Sequence, residues 1–358
     1  MNVSFELLAW FMAPEAVSLP IVKYRTRHFR IGGTSLKWNK LWVAYGPRRL
    51  VSMPNETIVR TIAEYIEFVD SVPAINDKEP KTYKSEFVFR GQGSVEYELL
   101  PSIARDGWYK LPWWDEPQRH SGSLEHEADF VESACRMMPG VFNRDMLPID
   151  LLACLQHYGI PTRLLDVTTN ALAALYFACG NEEKDGEVFV FHRPCWDRRE
   201  YPVCQAIADS WRLFMNSKSL DEYASLAISR PYFDYQRNLA LRKFPDATRQ
   251  ANWFKKCCKE PVFVYGTRYL GRQTAQSGEY ILFPNEIRGD GDYMVFADSI
   301  SPLAKDGSLI AGCCVVPAAN KRAILAELRK LGVAGGSLFP DSVEKVCAEM
   351  IGAIRRSL

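Results

Sequence analysis

Apolar positions along this chain fall into two periods. Ile58, Ile62, Tyr65, Ile66 and Val69 in "ETIVRTIAEYIEFVDSV" recur at helical spacing and predict a helix over 56–72 with those residues inward. "SLEHEADFVESACRMMPG" predicts a second helix, with Ser123 as N-cap, Leu124, Ala128, Val131 and Ala134 inward, and Pro139–Gly140 ending it. "PIDLLACLQHYG" predicts a third, opened by Pro148 and closed by Gly159. "NALAALYFACG" predicts a fourth, capped by Thr169 or Asn170 and stopped at Gly180. Residues 205–256 read as mainly helical, with Trp211, Phe214 and Leu220 inward. "AANKRAILAELRKLG" places Ile324, Leu325, Leu328 and Leu331 on one side, and a last helix begins near Asp341.

The second period is that of strands. "FVFRGQ", "GEVFVFHRP", "PVFVYGTR" and "GEYILFP" are short β-type runs, with Val188–Phe191 in a sheet. "PAINDKEPK" between the first helix and FVFRGQ is a loop. Strands and helices mix without a βαβ rhythm. The predicted class is α+β, a mostly antiparallel sheet flanked by helices. Before about residue 55 the alternation in "KYRTRHFR" and "KWNKLWVAYGPRR" predicts short strands of a small extension. The domain division follows: 1–75 as an N-terminal extension with short strands and a helix, 76–358 as the main domain.

Composition narrows the function classes. The chain has 358 residues, 47% of them apolar, enough for a sizeable core. A net charge of +1 excludes a strong overall field for nucleic acid or membrane, though the basic, aromatic N-terminus could touch nucleic acid. No apolar run approaches the ~18 residues a membrane span needs, so no membrane is expected. The ten cysteines form no C-x-x-C pair, and no secretory signal is read at the start. Reduced, mostly buried thiols in a cytoplasmic protein, with no metal, are the expectation.

Three stretches carry candidate chemistry. Arg90 and Gly91 end an apolar strand. A guanidinium fits a phosphate bidentately, and a glycine lets a ligand approach closely. Taken alone, an internal ion pair at Arg90 is the simpler account. In "LQHYGIPTRLLDVTTNALAALYFACG", Arg163 and Asp166 enter the core, and Thr168 and Thr169 precede a helix N-terminus that favours anions. Asp166 should pair with Arg163 or another arginine. His157 reads as a helix-end or core histidine. In "GRQTAQSGEYILFP", Arg272, Gln276 and Glu279 precede a strand, with Gly278 as the bend.

Together "FRGQ" (89–92), "LLPSIAR" (99–105), "QHYGIPTRLLDVTTNALAALYFA" (156–178) and "LGVAGGSLFPD" (331–341) resemble the FRG domain family, over roughly residues 80–350. A more remote resemblance is to ADP-ribosyltransferases of the toxin-like type, whose Arg-Gly strand, Ser-Thr-Ser strand and Glu-led strand have counterparts here in the same order. That resemblance implies a split sheet and NAD as substrate. Arg90 and Gly91, with Arg163 and Asp166, would serve the dinucleotide, and Thr168 and Thr169 the nicotinamide pocket. Glu279 would be the catalytic carboxylate, with Gln276 as its rival, and Tyr176, Phe177 and Tyr280 are available aromatics. It implies a bacterial toxin or phage-defence effector modifying an unknown acceptor, protein or nucleic acid. "DVTT" in place of Ser-Thr-Ser, and a three-residue gap between Gln276 and Glu279, depart from that pattern. They leave a non-catalytic NAD- or nucleic-acid-binding module of the same fold as the alternative.

Overall fold

The computed structural model describes residues 27–31, 34–38, 57–73, 87–105, 123–192, 202–214, 219–233, 246–264, 271–290 and 293–340. The chain divides into two compact units, Met1–Asn55 and Glu56–Leu358. In the first, β1 (Arg27–Ile31) and β2 (Thr34–Trp38) form an antiparallel hairpin. Most of "KWNKLWVAYGPRR", and the helix expected near Asp341, lie outside the described residues. The boundary at 55/56 places the first helix in the second unit.

That unit runs β3 (Thr57–Ile58), α1 (Ile62–Ser71), β4 (Phe87–Gln92), α2 (Ser123–Met137), α3 (Pro148–His157), β5 (Leu164–Thr168), α4 (Ala171–Ala178) and β6 (Gly186–His192). It continues α5 (Pro202–Ala208), α6 (Ser210–Phe214), α7 (Leu220–Ile228), α8 (Ala247–Cys257), β7 (Val262–Val264), α9 (Gly271–Ala275) and β8 (Gly278–Leu282). Then come β9 (Ile287–Asp290), β10 (Tyr293–Phe296), β11 (Ile310–Val316), α10 (Ala318–Lys330) and α11 (Gly335–Leu338). The main sheet has the order β3-β11-β6-β4-β5-β8-β7 and is antiparallel except for β11 beside β3. The expected α+β class with a mostly antiparallel sheet is what the chain forms. Among the described residues no helix is long and apolar enough to cross a membrane.

The sheet is covered on both sides. β6 is therefore a continuous apolar run, with Val188, Phe189, Val190 and Phe191 fully buried, and not an alternating one. On one face α1, α4 and α10 pack through Ile62, Tyr65, Leu175, Ile324 and Leu328. On the other, Leu99, Leu100 and Ile103 cover Val88, Leu165, Val167 and Ile281. Helices α2, α3 and α5–α8 share a further core with β5, β7 and β8.

Several local expectations are corrected. Thr57–Ile58 pairs with β11, so the first helix starts only at Ile62, where the Thr61 hydroxyl accepts from the Glu64 N–H at 3.2 Å. Its buried residues are Ile62, Tyr65 and Phe68, leaving Ile58 and Ile66 exposed. Leu331 caps the end of α10 and is exposed, because the buried side of that helix runs through Lys321, Ile324 and Leu328. Ala128, Val131, Ala134, Trp211 and Leu220 are buried as expected. Asn170 is the N-cap of α4, accepting from the Leu172 and Ala173 N–H groups.

Gly91 has a different reason from the one its sequence position suggested. A Cβ there would lie 1.8 Å from the Ala174 carbonyl oxygen, and one at Gly186 on the neighbouring strand 2.1 Å from that of Ala178. The two glycines let the backbone of α4 rest directly on β4 and β6. Gly91→Ala is expected to push α4 off the sheet and cost about 3 kcal/mol, read as a lower urea midpoint. An unchanged midpoint would show that α4 can shift without loss.

Candidate functional site

The central break in the sheet makes the site. β4 pairs with β6 from Phe87↔His192 to Gln92↔Glu187, but meets β5 at the single pair Phe89↔Thr168. A cavity of about 930 Å³ lies beside that parting, lined by Arg90, Arg105, Asp166, Thr168, Gln276 and Tyr280 among others. This is at the upper end of the ~300–1,000 Å³ usual for ligand and cofactor pockets.

Each wall has an identifiable support. The Thr168 hydroxyl donates to the Gln276 carbonyl at 2.6 Å and accepts from the Asn170 N–H at 2.9 Å, joining the end of β5 to the turn before β8. That turn includes Ser277, at φ 49°. The Gln276 amide donates to the Leu338 carbonyl at 3.0 Å, and the Arg272 guanidinium lies 4.7 Å over the Phe339 ring. The segment "SLFP" thus holds the third motif in place, through Phe339 packed edge-on to Phe177. On the opposite side the Gln92 amide donates to the Tyr97 carbonyl at 2.8 Å and to Glu187, which Lys305 also meets. This fixes the loop carrying Glu96, Tyr97 and Glu98, all of which line the cavity.

The charged groups sit at the parting itself. Arg90 Nη1 donates to the Asp166 carbonyl oxygen at 2.7 Å, and among the described residues its Nε has no hydrogen-bond partner. Burial pulls the Arg90 pKa down to about 10; Asp166 opposes that fall and Arg105 adds to it. Arg105, at the end of a short 3-10 turn, donates from Nε to the Leu100 carbonyl at 3.2 Å. Asp166 is exposed to the cavity. Gln156 Nε2 donates to its Oδ1 at 2.7 Å, and Thr162 fixes that amide by donating to Gln156 Oε1 at 2.5 Å. Burial pushes the Tyr280 hydroxyl well up, so it stays neutral, and Asp166 adds to the shift.

The candidates read from sequence therefore separate. Arg90, Gly91, Asp166, Thr168 and Gln276 come together around one cavity. Thr169 lies beside it, its N–H donating to the Ser277 carbonyl at 3.1 Å. Arg163 does not reach it. Arg163 is fully buried and ion-paired with Glu127 at 2.6 Å, so of the arginines expected beside Asp166 it is Arg90 and Arg105, not Arg163, that act on it. Glu279 is buried but is absent from the lining. Strand alternation sets it on the face opposite Tyr280, opposite Val167 across the ladder. Phe177 and Tyr280 line the cavity and Tyr176 does not; His157 ends α3 and lines it too. Sequence reasoning missed Arg105, Gln156 and Tyr97. "LLPSIAR" carried the only signal for the first of these.

An α+β domain with a guanidinium-lined cavity at the parting of its central strands is the class that fold and site define. The FRG domain model matches residues 85–187, an interval that holds Arg90, Arg105, Gln156, Asp166 and Thr168. Gln276, Tyr280 and the "SLFP" buttress lie beyond it. No curated protein and no solved structure matches the chain.

Proposed function

We propose that the cavity binds NAD and that the protein cleaves the nicotinamide–ribose bond, passing ADP-ribose to water or to an acceptor, as an ADP-ribosyltransferase-like effector. The observation that supports this reading is the convergence of Arg90, Asp166, Thr168, Gln276 and Tyr280 on one cavity. Arg90 meets the diphosphate. As the bond breaks, its electron pair leaves with nicotinamide and positive charge develops on the ribose, as in glycoside cleavage. Asp166, Glu96 and Glu98 bring carboxylates to the cavity, and Asp166 is the one that acts on Arg90. Held by Gln156, it is placed to stabilise that charge by accepting from a ribose hydroxyl. Tyr280 and Phe177 offer ring faces for nicotinamide. The acceptor, protein or nucleic acid, would complete the transfer.

The test is nicotinamide release from NAD by the purified chain. Asp166→Asn is expected to lower the rate about a hundredfold or more, and Glu279→Gln to change it far less. Equal rates for Asp166→Asn and wild type would remove Asp166 from the reaction. The absence of Glu279 from the lining favours a second reading, a module that binds NAD without cleaving it. Binding with no nicotinamide release would establish that reading.

A further inference from the structure

We infer that Arg90 and Arg105 form a two-pronged site for a pyrophosphate group, with Asp166 as the opposing charge they share. This rests on the dinucleotide reading of the cavity and adds Arg105, to which that reading gives no part. Both guanidiniums line the same cavity. Each carries five N–H donors. One hydrogen bond from each is made within the described residues, from Arg90 Nη1 to Asp166 and from Arg105 Nε to Leu100. Both forks keep donors for a ligand. Each fork matches one phosphoryl group in bidentate fashion, so two forks match two linked groups.

The electrostatics support the geometry. Arg105 depresses the protonation of Arg90, and Asp166 favours the charged form of both, so the three groups act on one another. The lining also holds Arg272, Glu96 and Glu98, and within it the Arg90–Arg105 pair is the part that two linked phosphoryl groups match. Asp166 Oδ1 is already engaged by Gln156, which holds that carboxylate in position.

The experiment is calorimetric titration of the full chain with inorganic pyrophosphate and, separately, orthophosphate. Pyrophosphate is expected to bind the wild type at least tenfold more tightly than orthophosphate. Arg105→Ala and Arg105→Lys should both weaken pyrophosphate about tenfold or more, because lysine cannot reproduce the fork. Asp166→Asn should tighten it several-fold by removing the opposing charge. That rise is something a merely structural role for Asp166 would not produce. Unchanged affinity in Arg105→Ala, no preference for pyrophosphate, or weakening by Asp166→Asn would each overturn the assignment. Pyrophosphate binding as expected without nicotinamide release would leave the clamp standing and end the catalytic reading. Nicotinamide release unaffected by Arg105→Ala, with unchanged pyrophosphate affinity, would end the clamp alone.

Discussion

Glu127→Ala is expected to lose about 3–5 kcal/mol of stability, the cost of leaving a buried charge without its partner. Arg163 is fully buried, and Glu127 is 1% exposed. Arg163 donates to Glu127 from Nε at 2.8 Å and from Nη2 at 2.6 Å, and to Asn285 Oδ1 from Nη1 at 2.7 Å. The group ties α2 to the start of β5 and to the segment after β8. Burial pushes the Glu127 carboxyl up, and the Arg163 bonds hold it down. Removing the carboxylate leaves a guanidinium in a site that water does not reach. Such a loss is a large share of the ~5–15 kcal/mol that holds a domain folded. Urea unfolding measures it, and a loss below about 1 kcal/mol would show that Arg163 finds another partner. The Lys184–Glu96 pair is the contrast, since both side chains stand in water.

Arg90→Met is expected to abolish anion binding while leaving the fold as stable as wild type or more so. Affinity for NAD should fall on the order of a hundredfold, since the charged, bidentate contact to the diphosphate is lost. The stability sign follows from the pKa. The folded-state value of about 10 lies below the ordinary 12.5, so the charged guanidinium costs stability at neutral pH. That cost fades only as pH rises through about 10. Methionine removes it and fills part of the same volume. The lost hydrogen bond to the Asp166 carbonyl offsets about 1 kcal/mol of the gain. Melting temperature at pH 7 should equal or exceed that of wild type, and the difference should shrink only as pH rises above about 10. A melting temperature several degrees lower would mean that Arg90 holds the sheet together and is not kept for a ligand.

Local pattern and three-dimensional placement were legible to different degrees. The strands FVFRGQ and GEYILFP, the Pro148 start and the inward stripe of α2 follow from period and capping alone. Gly91 showed that a small residue was needed, but whether a ligand or a helix fills the space depends on where α4 packs, 80-odd residues along. Glu127 and Arg163 are 36 residues apart on different elements, and no local spacing links them. Within GEYILFP the period of two was visible, yet which face met the cavity depended on the register with β5. The lining takes in Tyr280 and not Glu279, although Val167, opposite Glu279 across the ladder, reaches it. Arg105 ends a 3-10 turn with no periodicity, so only the fold brings it beside Arg90.

The most direct test is calorimetric titration of NAD into the wild-type chain and into Arg90→Met at neutral pH. Saturable heat with the wild type and none with the variant is the expected result. Equal affinity for both proteins, or no heat with either, would contradict a dinucleotide held by Arg90 at the parting of β4 and β5.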